Sequence, residues 1–156
     1  MLAGVSMNKL IIFLGEYFYI FILIISGLRI FFLDQDIRKQ LLRLAFFATP
    51  LAFIVSRILN NFIINPRPFV EHGTTPLFPH TPDNGFPSDH ALLVMLVAFL
   101  ISPYDKRFGV VLCVLGIIVG IARVAAGVHH MTDIAGSIMV TGLSVLCVYQ
   151  ILKRKK

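Results

Sequence analysis

The chain has 156 residues, of which 57% are hydrophobic and only 14% are charged, and its mean hydropathy is +0.85. Soluble domains carry about 45–50% apolar and about 25% charged residues, so this composition argues against a soluble globular fold, a disordered chain and a disulfide scaffold. The formal net charge of +6 would suggest nucleic acid only in a soluble protein, and we expect no nucleic-acid partner here.

Five apolar stretches have the length, or nearly the length, of a bilayer span, which needs about 20 mainly apolar residues. In chain order they are 10–33, 41–64, 88–103, 107–127 and 131–152. The third is short, and the first two hold charged residues within their apolar runs. These stretches predict an all-α fold: a polytopic membrane helix bundle of about five transmembrane helices, forming a single domain over residues 1–156.

The first stretch also resembles the beginning of a cleaved signal peptide, because Lys9 precedes its apolar run. The run is long, contains Glu16 and lacks a small-x-small cleavage site before Asp34, so we expect a retained helix. Short polar turns are predicted at 34–40 and 104–107.

The longest predicted connection, residues 65–87, holds six prolines and two glycines. A long loop without secondary structure in a compact protein is usually functional or disordered. Its two histidines, His72 and His80, are predicted to be surface residues, with contact to a diphosphate as the alternative.

The distribution of basic residues predicts the orientation in the membrane, because cytoplasmic loops carry an excess of Lys and Arg. With five helices, one side receives Arg38, Lys39, Arg43, Lys106, Arg107, Lys153, Arg154, Lys155 and Lys156. The other side receives Lys9, Arg67 and Arg123. This asymmetry predicts a plasma-membrane protein with a cytoplasmic C-terminus and with the 65–87 loop on the outer face.

Polar residues that the helices do not explain gather in three places. They are Arg67, then Ser88, Asp89 and His90, and then Arg123, His129, His130 and Asp133. A charge at membrane depth costs at least about 2.5–3.5 kcal/mol and therefore usually has a function. All three groups fall on the outer face under the five-helix topology, although counting helices did not require it.

Three of these side chains suit the binding of phosphate. Arg67 and Arg123 are permanent cations whose planar forks match phosphate oxygens. Ser88 precedes a predicted helix, where its hydroxyl and the first free backbone N–H groups are placed to hold an anion.

The histidines suit proton transfer and attack on phosphorus. His129 and Asp133 are four residues apart, which puts them on one face of a helix, where the carboxylate would fix the imidazole tautomer and stabilise its cation. His90 is then available to protonate a leaving oxygen. On their own, His129 and Asp133 would equally fit a satisfied buried pair or two metal ligands. With the arginines, they predict phosphoryl transfer through a phosphohistidine.

The order and spacing of these residues resemble the three-part signature of the type-2 phosphatidic acid phosphatases, a family of membrane lipid phosphatases and related histidine phosphatases. That signature reads K-x6-R-P, P-S-G-H and S-R-x5-H-x3-D. This chain has N-x6-R-P from Asn60, P-S-D-H from Pro87 and A-R-x5-H-x3-D from Ala122. The resemblance implies a nucleophile at His129 with Asp133 as its partner, an acid at His90, phosphate ligands at Arg67, Ser88 and Arg123, and no metal or other cofactor.

The chain departs from the signature at three positions. Asn60 replaces the usual lysine, so the charge is lost although the amide would still donate a hydrogen bond. Arg57, one turn earlier on the same helix face, is an alternative source of that cation. Asp89 replaces glycine and Ala122 replaces serine.

The P-S-D-H variant, the loop sequence and the fragment LGEYFYIF resemble the bacitracin-resistance branch of this family, whose members are undecaprenyl-diphosphatases. The resemblance implies hydrolysis of the terminal phosphate of undecaprenyl diphosphate to give undecaprenyl phosphate, which recycles the lipid carrier of cell-wall synthesis. The implied partners are the polyprenyl diphosphate lipid and the bilayer, with no obligate protein partner. Glu16, at the outer end of the first helix, is then a candidate contact for the substrate.

Other functions fit parts of the same sequence. A phosphatase of phosphatidylglycerol phosphate or phosphatidate would use the same site. A small ion or proton carrier would spread its charges through the bilayer, whereas these gather at one interface. A zinc-dependent hydrolase would use His90, His129 and Asp133, and activity in excess chelator would exclude it. A lapsed enzyme is suggested by Asn60, and the absence of phosphate release would favour it.

Overall fold

The computed structural model describes the backbone of residues 2–154 and the side chains of residues 5–154. Its helices, in chain order, are α1 (Leu2–Ile12), a π-helical turn (Phe13–Tyr17), α2 (Phe18–Phe31), α3 (Gln35–Phe62), α4 (Pro68–Glu71), α5 (Asp89–Ile101), α6 (Lys106–Ala125) and α7 (Met131–Arg154). The last two residues of the basic tail, on which the orientation argument partly depends, lie outside the described residues.

The all-helical membrane fold expected from the sequence is confirmed. Within the described residues, four helical stretches are long and apolar enough to cross a membrane, and they are Val5–Phe31, Gln35–Phe62, Lys106–Ala125 and Met131–Arg154. The third predicted span is α5, which has only 13 residues and is therefore about 20 Å long, shorter than the hydrocarbon core. Its neighbours α3, α6 and α7 enclose it.

Two helices begin earlier than the sequence predicts, and for the second of them the structure gives the physical reason. The first helix begins at Leu2 and the second at Gln35, where 10 and 41 were expected. The predicted turn at 34–40 is mostly the start of α3, because the side chain of Asp34 accepts a hydrogen bond from the backbone N–H of Asp36 at 2.9 Å. Capped polar residues continue a helix beyond the apolar run, and apolarity alone does not detect them.

The interior of the bundle is built around α5. Its buried residues contact α3 and α7 on one side and α2 and α6 on the other. Close helix packing depends on small residues, as expected for a membrane bundle. A Cβ added at Gly120 of α6 would lie 2.6 Å from Cγ2 of Ile134 in α7. Exposed aromatic side chains such as Phe31, Phe46 and Phe62 cover the outer surface, which suits contact with lipid.

An ion pair stabilises the end of the bundle that lies away from the three polar groups. Nη2 of Arg29, near the end of α2, donates to Oδ2 of Asp105 at 2.6 Å. Asp105 also caps α6, since its Oδ1 accepts from the backbone N–H of Phe108 at 3.1 Å. The hydrogen bond from Phe108, followed by the contact with Arg29, lowers the pKa of Asp105.

Replacing Asp105 with Ala is expected to lower the free energy of unfolding by about 1 kcal/mol, because the helix cap is lost and a partly exposed ion pair adds little. Since the folded pKa is depressed, this stabilisation is present above the ordinary carboxyl pKa and disappears as pH falls through the lower folded value. Thermal unfolding in detergent measures the change. Asp36→Ala, which removes an exposed carboxylate of α3, is the control, and equal losses in the two variants would contradict the capping role.

Candidate active site

The three polar groups of the sequence meet at one end of the bundle. Arg67 follows α3, Ser88 precedes α5, Arg123 lies in the last turn of α6, and His129 and Asp133 flank the start of α7. All five are buried, with exposed fractions of 6% or less. Permanent charges are rarely buried unless they are paired or hydrogen-bonded, so the partners of these side chains decide what the site is able to bind.

His129 is placed by the tight link between α6 and α7. Gly127 adopts a positive φ of 78°, and the next backbone N–H, from Val128, donates to the carbonyl of Arg123 at 3.2 Å. A residue in this left-handed conformation commonly ends a helix, and glycine adopts it without steric cost. The turn brings His129 back beside Arg123, six positions earlier in the chain.

The His129–Asp133 pair has the geometry of a base and its orienting carboxylate. Nδ1 of His129 lies 3.1 Å from Oδ2 of Asp133. The same oxygen accepts the backbone N–H of His130 at 2.8 Å, and Oδ1 accepts from Nδ2 of Asn65 at 2.6 Å. A carboxylate with three donors holds the imidazole proton on Nδ1. Nε2, which carries no proton in this tautomer, is therefore the ring atom suited to act as a nucleophile.

Both buried arginines lie against that nitrogen. Nη1 of Arg67 is 3.2 Å and Nη2 of Arg123 is 3.3 Å from Nε2 of His129. Burial, reinforced by the two guanidinium charges, lowers the pKa of His129, although the hydrogen bond with Asp133 opposes this change. The ring is therefore neutral at neutral pH, and the lone pair of Nε2 accepts hydrogen bonds from the two guanidinium groups.

Each guanidinium is fixed by further acceptors. Arg67 donates from Nε to Oδ1 of Asp83 at 2.7 Å and from Nη1 to the carbonyl of Val128 at 2.9 Å. Arg123 donates from Nη1 to the carbonyl of Gly15 at 2.9 Å and from Nη2 to Nε2 of His80 at 2.8 Å. Two cations held this close together form a strong site for an anion.

Ser88 and Arg123 each keep an unused polar atom at the site. Among the described residues, Oγ of Ser88 and Nε of Arg123 are buried without a hydrogen-bond partner. The backbone of Ser88 is held in place, since its carbonyl accepts from Oγ of Ser137 at 2.9 Å. Buried polar groups in native proteins are nearly always paired, so these two atoms are suited to a ligand.

A cavity of about 450 Å³ adjoins this cluster. Arg123 and His90 reach its wall, together with Glu16 from the π-helical turn and His80 from the loop. The ring of His90 packs edge-on against Tyr19, with 4.4 Å between the ring centroids. Of the residues predicted from the sequence, His90 and Glu16 thus face the cavity rather than contacting the His129–Asp133 pair.

Two predicted site residues neither line the cavity nor contact the His129–Asp133 pair. Asn60 donates from Nδ2 to the carbonyl of Phe86 at 2.6 Å, so it fastens the loop just before Pro87 and Ser88. Arg57 lies 3.7 Å from Asp89, and both side chains are more than 60% exposed. At the position where the signature has a lysine, this chain therefore has an asparagine that anchors the loop. Arg57 supplies no cation to the cluster.

Several residues at the site were not expected from the sequence. Asn65 contacts Asp133 and Asp83 contacts Arg67, while His80, predicted to be a surface residue with diphosphate contact as the alternative, is half-buried on Arg123. The loop that carries them is fixed by Asn84, which donates to the carbonyls of Asn60 and Ile63 at 2.7 Å each. The only available signal was an unusual number of Asn, Asp and His residues in a loop joining two membrane segments. In the described part of the chain, no three His, Cys, Asp or Glu side chains gather as metal ligands.

The fold and site together define an all-α membrane protein with a buried histidine–carboxylate pair between two arginines. The family model described as the PAP2 superfamily matches residues 40–156. The chain therefore belongs to the PAP2 superfamily.

Individual members of known name are also similar to this chain. The chain is 33% identical over 145 residues to the Bacitracin transport permease protein BcrC of Bacillus licheniformis, covering 92% of this chain and 70% of that protein. It is 29% identical over 136 residues to the Undecaprenyl-diphosphatase BcrC of Bacillus subtilis (strain 168), covering 86% and 69%. The crystal structure of a transmembrane PAP2 type phosphatidylglycerolphosphate phosphatase from Bacillus subtilis matches with a TM-score of 0.63 and 22% identity, over 97% of this chain and 77% of that one. The last similarity concerns the fold.

Proposed function

We propose that this protein is a membrane lipid phosphatase that removes the terminal phosphate of undecaprenyl diphosphate through a phosphohistidine, giving undecaprenyl phosphate for reuse as a lipid carrier. The observation that carries the proposal is the Nε2 atom of His129, which belongs to a buried ring and lies within 3.3 Å of two guanidinium groups. That arrangement suits a nucleophile facing a phosphate group. The choice of substrate is supported by the relatives named for bacitracin and for undecaprenyl diphosphate.

The first chemical step forms a phosphorus–nitrogen bond. The terminal phosphate enters between the arginines, and Nε2 of His129 attacks phosphorus in line with the bridging oxygen. The bond from phosphorus to that oxygen breaks, and His90 donates a proton to the departing prenyl phosphate. Arg67, Arg123 and the free hydroxyl of Ser88 stabilise negative charge on the equatorial oxygens during the transfer.

The second step returns the enzyme to its starting state. His90, now unprotonated, accepts a proton from water, whose oxygen attacks the phosphorus of the phosphohistidine. The phosphorus–nitrogen bond breaks, and inorganic phosphate leaves. Asp133 stabilises the positively charged ring in both steps. Glu16 contacts the substrate headgroup from the cavity wall, while Asn60 and Arg57 act only indirectly, through the loop and through Asp89.

The site is proposed to face the outside of the cell. Support comes from the opposite end of the bundle, where the ends of α2 and α7 and the starts of α3 and α6 meet. That end carries the basic residues Arg38, Lys39, Arg43, Lys106, Arg107, Lys153 and Arg154. Such an excess is typical of cytoplasmic loops. An outward site would receive the spent lipid carrier from the outer leaflet.

A substrate panel tests the proposal. Purified protein in detergent is offered undecaprenyl diphosphate, phosphatidylglycerol phosphate and phosphatidate, each with excess chelator. We expect the highest kcat/KM for undecaprenyl diphosphate, with activity unchanged by the chelator. The phosphatidylglycerolphosphate phosphatase of similar fold makes phosphatidylglycerol phosphate the second candidate, and a preference for it would replace the first. Loss of activity in chelator would favour a zinc-dependent hydrolase, and no release from any lipid would indicate a lapsed enzyme.

A further inference from the structure

His80 lies in the loop between α4 and α5, yet that part of the loop is anchored to the protein body. The backbone N–H of Leu77 donates to the carbonyl of Ala126 at 3.0 Å. Phe78 is 5% exposed and packs with Val128, next to the link that carries His129. The loop therefore presents His80 at a defined place beside the nucleophile, and the two imidazole rings meet edge-on with 6.0 Å between their centroids.

The hydrogen bonds of His80 determine where its proton lies. A guanidinium group has donors only, so Nε2 of His80 accepts the hydrogen bond from Nη2 of Arg123 at 2.8 Å. Burial, together with the charges of Arg67 and Arg123, lowers the pKa of His80 to about 4. The ring is therefore neutral at neutral pH, and its single proton is on Nδ1.

That proton has no acceptor. Three buried side-chain polar atoms in the described part of the chain lack a hydrogen-bond partner: Nδ1 of His80, Oγ of Ser88 and Nε of Arg123. Two of the three belong to residues already expected to bind phosphate. Unpaired buried donors are rare in native proteins and call for an explanation. A ligand rich in acceptor oxygens would offer a hydrogen-bond acceptor to each of these three atoms.

The cavity supplies the space for such a ligand. Its wall includes His80, His90 and Arg123, so His80 shares this cavity with the proposed acid and lies beside a proposed phosphate ligand. A phosphate dianion entering there would draw Arg123 toward its own oxygens and release Nε2 of His80. It would also offset the guanidinium charges that hold the ring neutral.

We propose that His80 is a phosphate-binding residue of this site, which accepts a hydrogen bond from Arg123 while the site is empty and donates an N–H to a phosphate oxygen when the site is filled. The proposal deepens the function proposed above and rests on it. The chemistry recognised is a phosphate group, whether it belongs to a lipid diphosphate or is free inorganic phosphate.

Two substitutions separate hydrogen bonding from packing. His80→Phe keeps a ring against Phe78 but removes both nitrogens, whereas His80→Gln keeps a side-chain N–H. His72→Phe is the matched control, because His72 is an exposed histidine of the same loop. One arm measures binding of inorganic phosphate to the full-length protein in detergent, and the other measures kcat and KM for undecaprenyl diphosphate.

We expect His80→Phe to weaken phosphate binding and to raise KM by at least about tenfold, the effect of losing one hydrogen bond to a charged group. His80→Gln should restore a substantial part of both, and His72→Phe should match the wild type. In wild-type protein labelled with ¹⁵N-histidine, the ring signals that disappear in His80→Phe should shift when phosphate is added.

The proposal is overturned if the wild type does not bind phosphate, or if His80→Phe binds phosphate as tightly as the wild type. It is also overturned if the His80 signal does not shift when phosphate is added, or if the Phe and Gln variants lose equal activity and both have a lowered Tm. The two arms also keep the two proposals apart. If phosphate binding depends on His80 but the protein is inactive on every lipid, only the proposed function is contradicted. Normal turnover in His80→Phe would defeat only the role of His80.

Discussion

Replacing His129 with Gln is expected to reduce phosphate release by at least about a thousandfold, because the substitution removes the nitrogen that forms the covalent intermediate. The variant should retain its fold, since an amide at this position is still able to bond with Asp133. Residual activity would come from the two arginines, which bind and polarise the phosphate without a nucleophile. Phosphate release from undecaprenyl diphosphate and thermal unfolding in detergent measure the two effects separately.

Trapping the intermediate tests the same assignment directly. Substrate labelled in its terminal phosphate, quenched during turnover, should leave the label on His129 of the wild type and leave none on the His129→Gln protein. His130→Gln is the matched control, because His130 is the neighbouring histidine and bonds to Asp133 through its backbone rather than its side chain. A label found on His90, His80 or any other residue would contradict the mechanism.

The pH profile of the wild type offers a further check on the nucleophile. Because burial lowers the pKa of His129, the neutral and reactive ring persists as pH falls below the ordinary histidine value of about 6.5. The acid limb of kcat/KM is therefore expected below that value. An acid limb well above pH 6.5 would show that another group controls the reaction.

The bundle and the meeting of its polar residues were predictable from the sequence for physical reasons. Membrane spans must satisfy their backbone hydrogen bonds internally, so long apolar runs have few alternatives to helices. Charges are costly inside the bilayer, so unexplained residues such as Arg67 and Arg123 pointed to one site. The spacing between His129 and Asp133 needed only the periodicity of a helix.

The contacts that position those residues were less accessible to prediction. The π-helical turn has no apolar pattern to mark it, yet its residue Gly15 supplies the carbonyl that holds Nη1 of Arg123. Asp83 and Asn65 reach their partners from an irregular loop, over separations of 16 and 68 residues. No periodicity relates such positions, because folding of the loop rather than a helix face brings them together.

The departures from the family signature show the same limit. The sequence predicts that the amide of Asn60 still donates a hydrogen bond where the signature has a lysine. In the structure its amide bonds to Phe86 and its carbonyl accepts from Asn84, so the residue fixes the loop instead. The signature gives no link between Arg57 and Asp89, whereas in the structure the two side chains face each other from α3 and α5. A motif identifies positions in the sequence, whereas the contacts of the side chain at each position determine its role.

Replacing Asp133 with Asn is expected to lower kcat by about 10²–10⁴-fold with a much smaller change in KM, because the carboxylate orients the nucleophile without touching the substrate. An amide offers one acceptor where the carboxylate now accepts three hydrogen bonds, from His129, His130 and Asn65. If the amide nitrogen faces His129, the ring must hold its proton on Nε2, where it blocks attack. If the amide oxygen faces His129, the tautomer survives, but the negative charge that stabilises the phosphorylated ring is gone.

Asp83→Asn is the matched control for that prediction. It also removes one carboxylate from the site, but Asp83 contacts Arg67 and is 61% exposed at its side chain, so we expect less than about a tenfold loss. Steady-state phosphate release from undecaprenyl diphosphate, with thermal unfolding to verify the fold, distinguishes the two variants. Because Asp133 bonds to His129 and Asp83 does not, similar small losses in both would mean that charge near the arginines, rather than orientation of His129, governs the reaction.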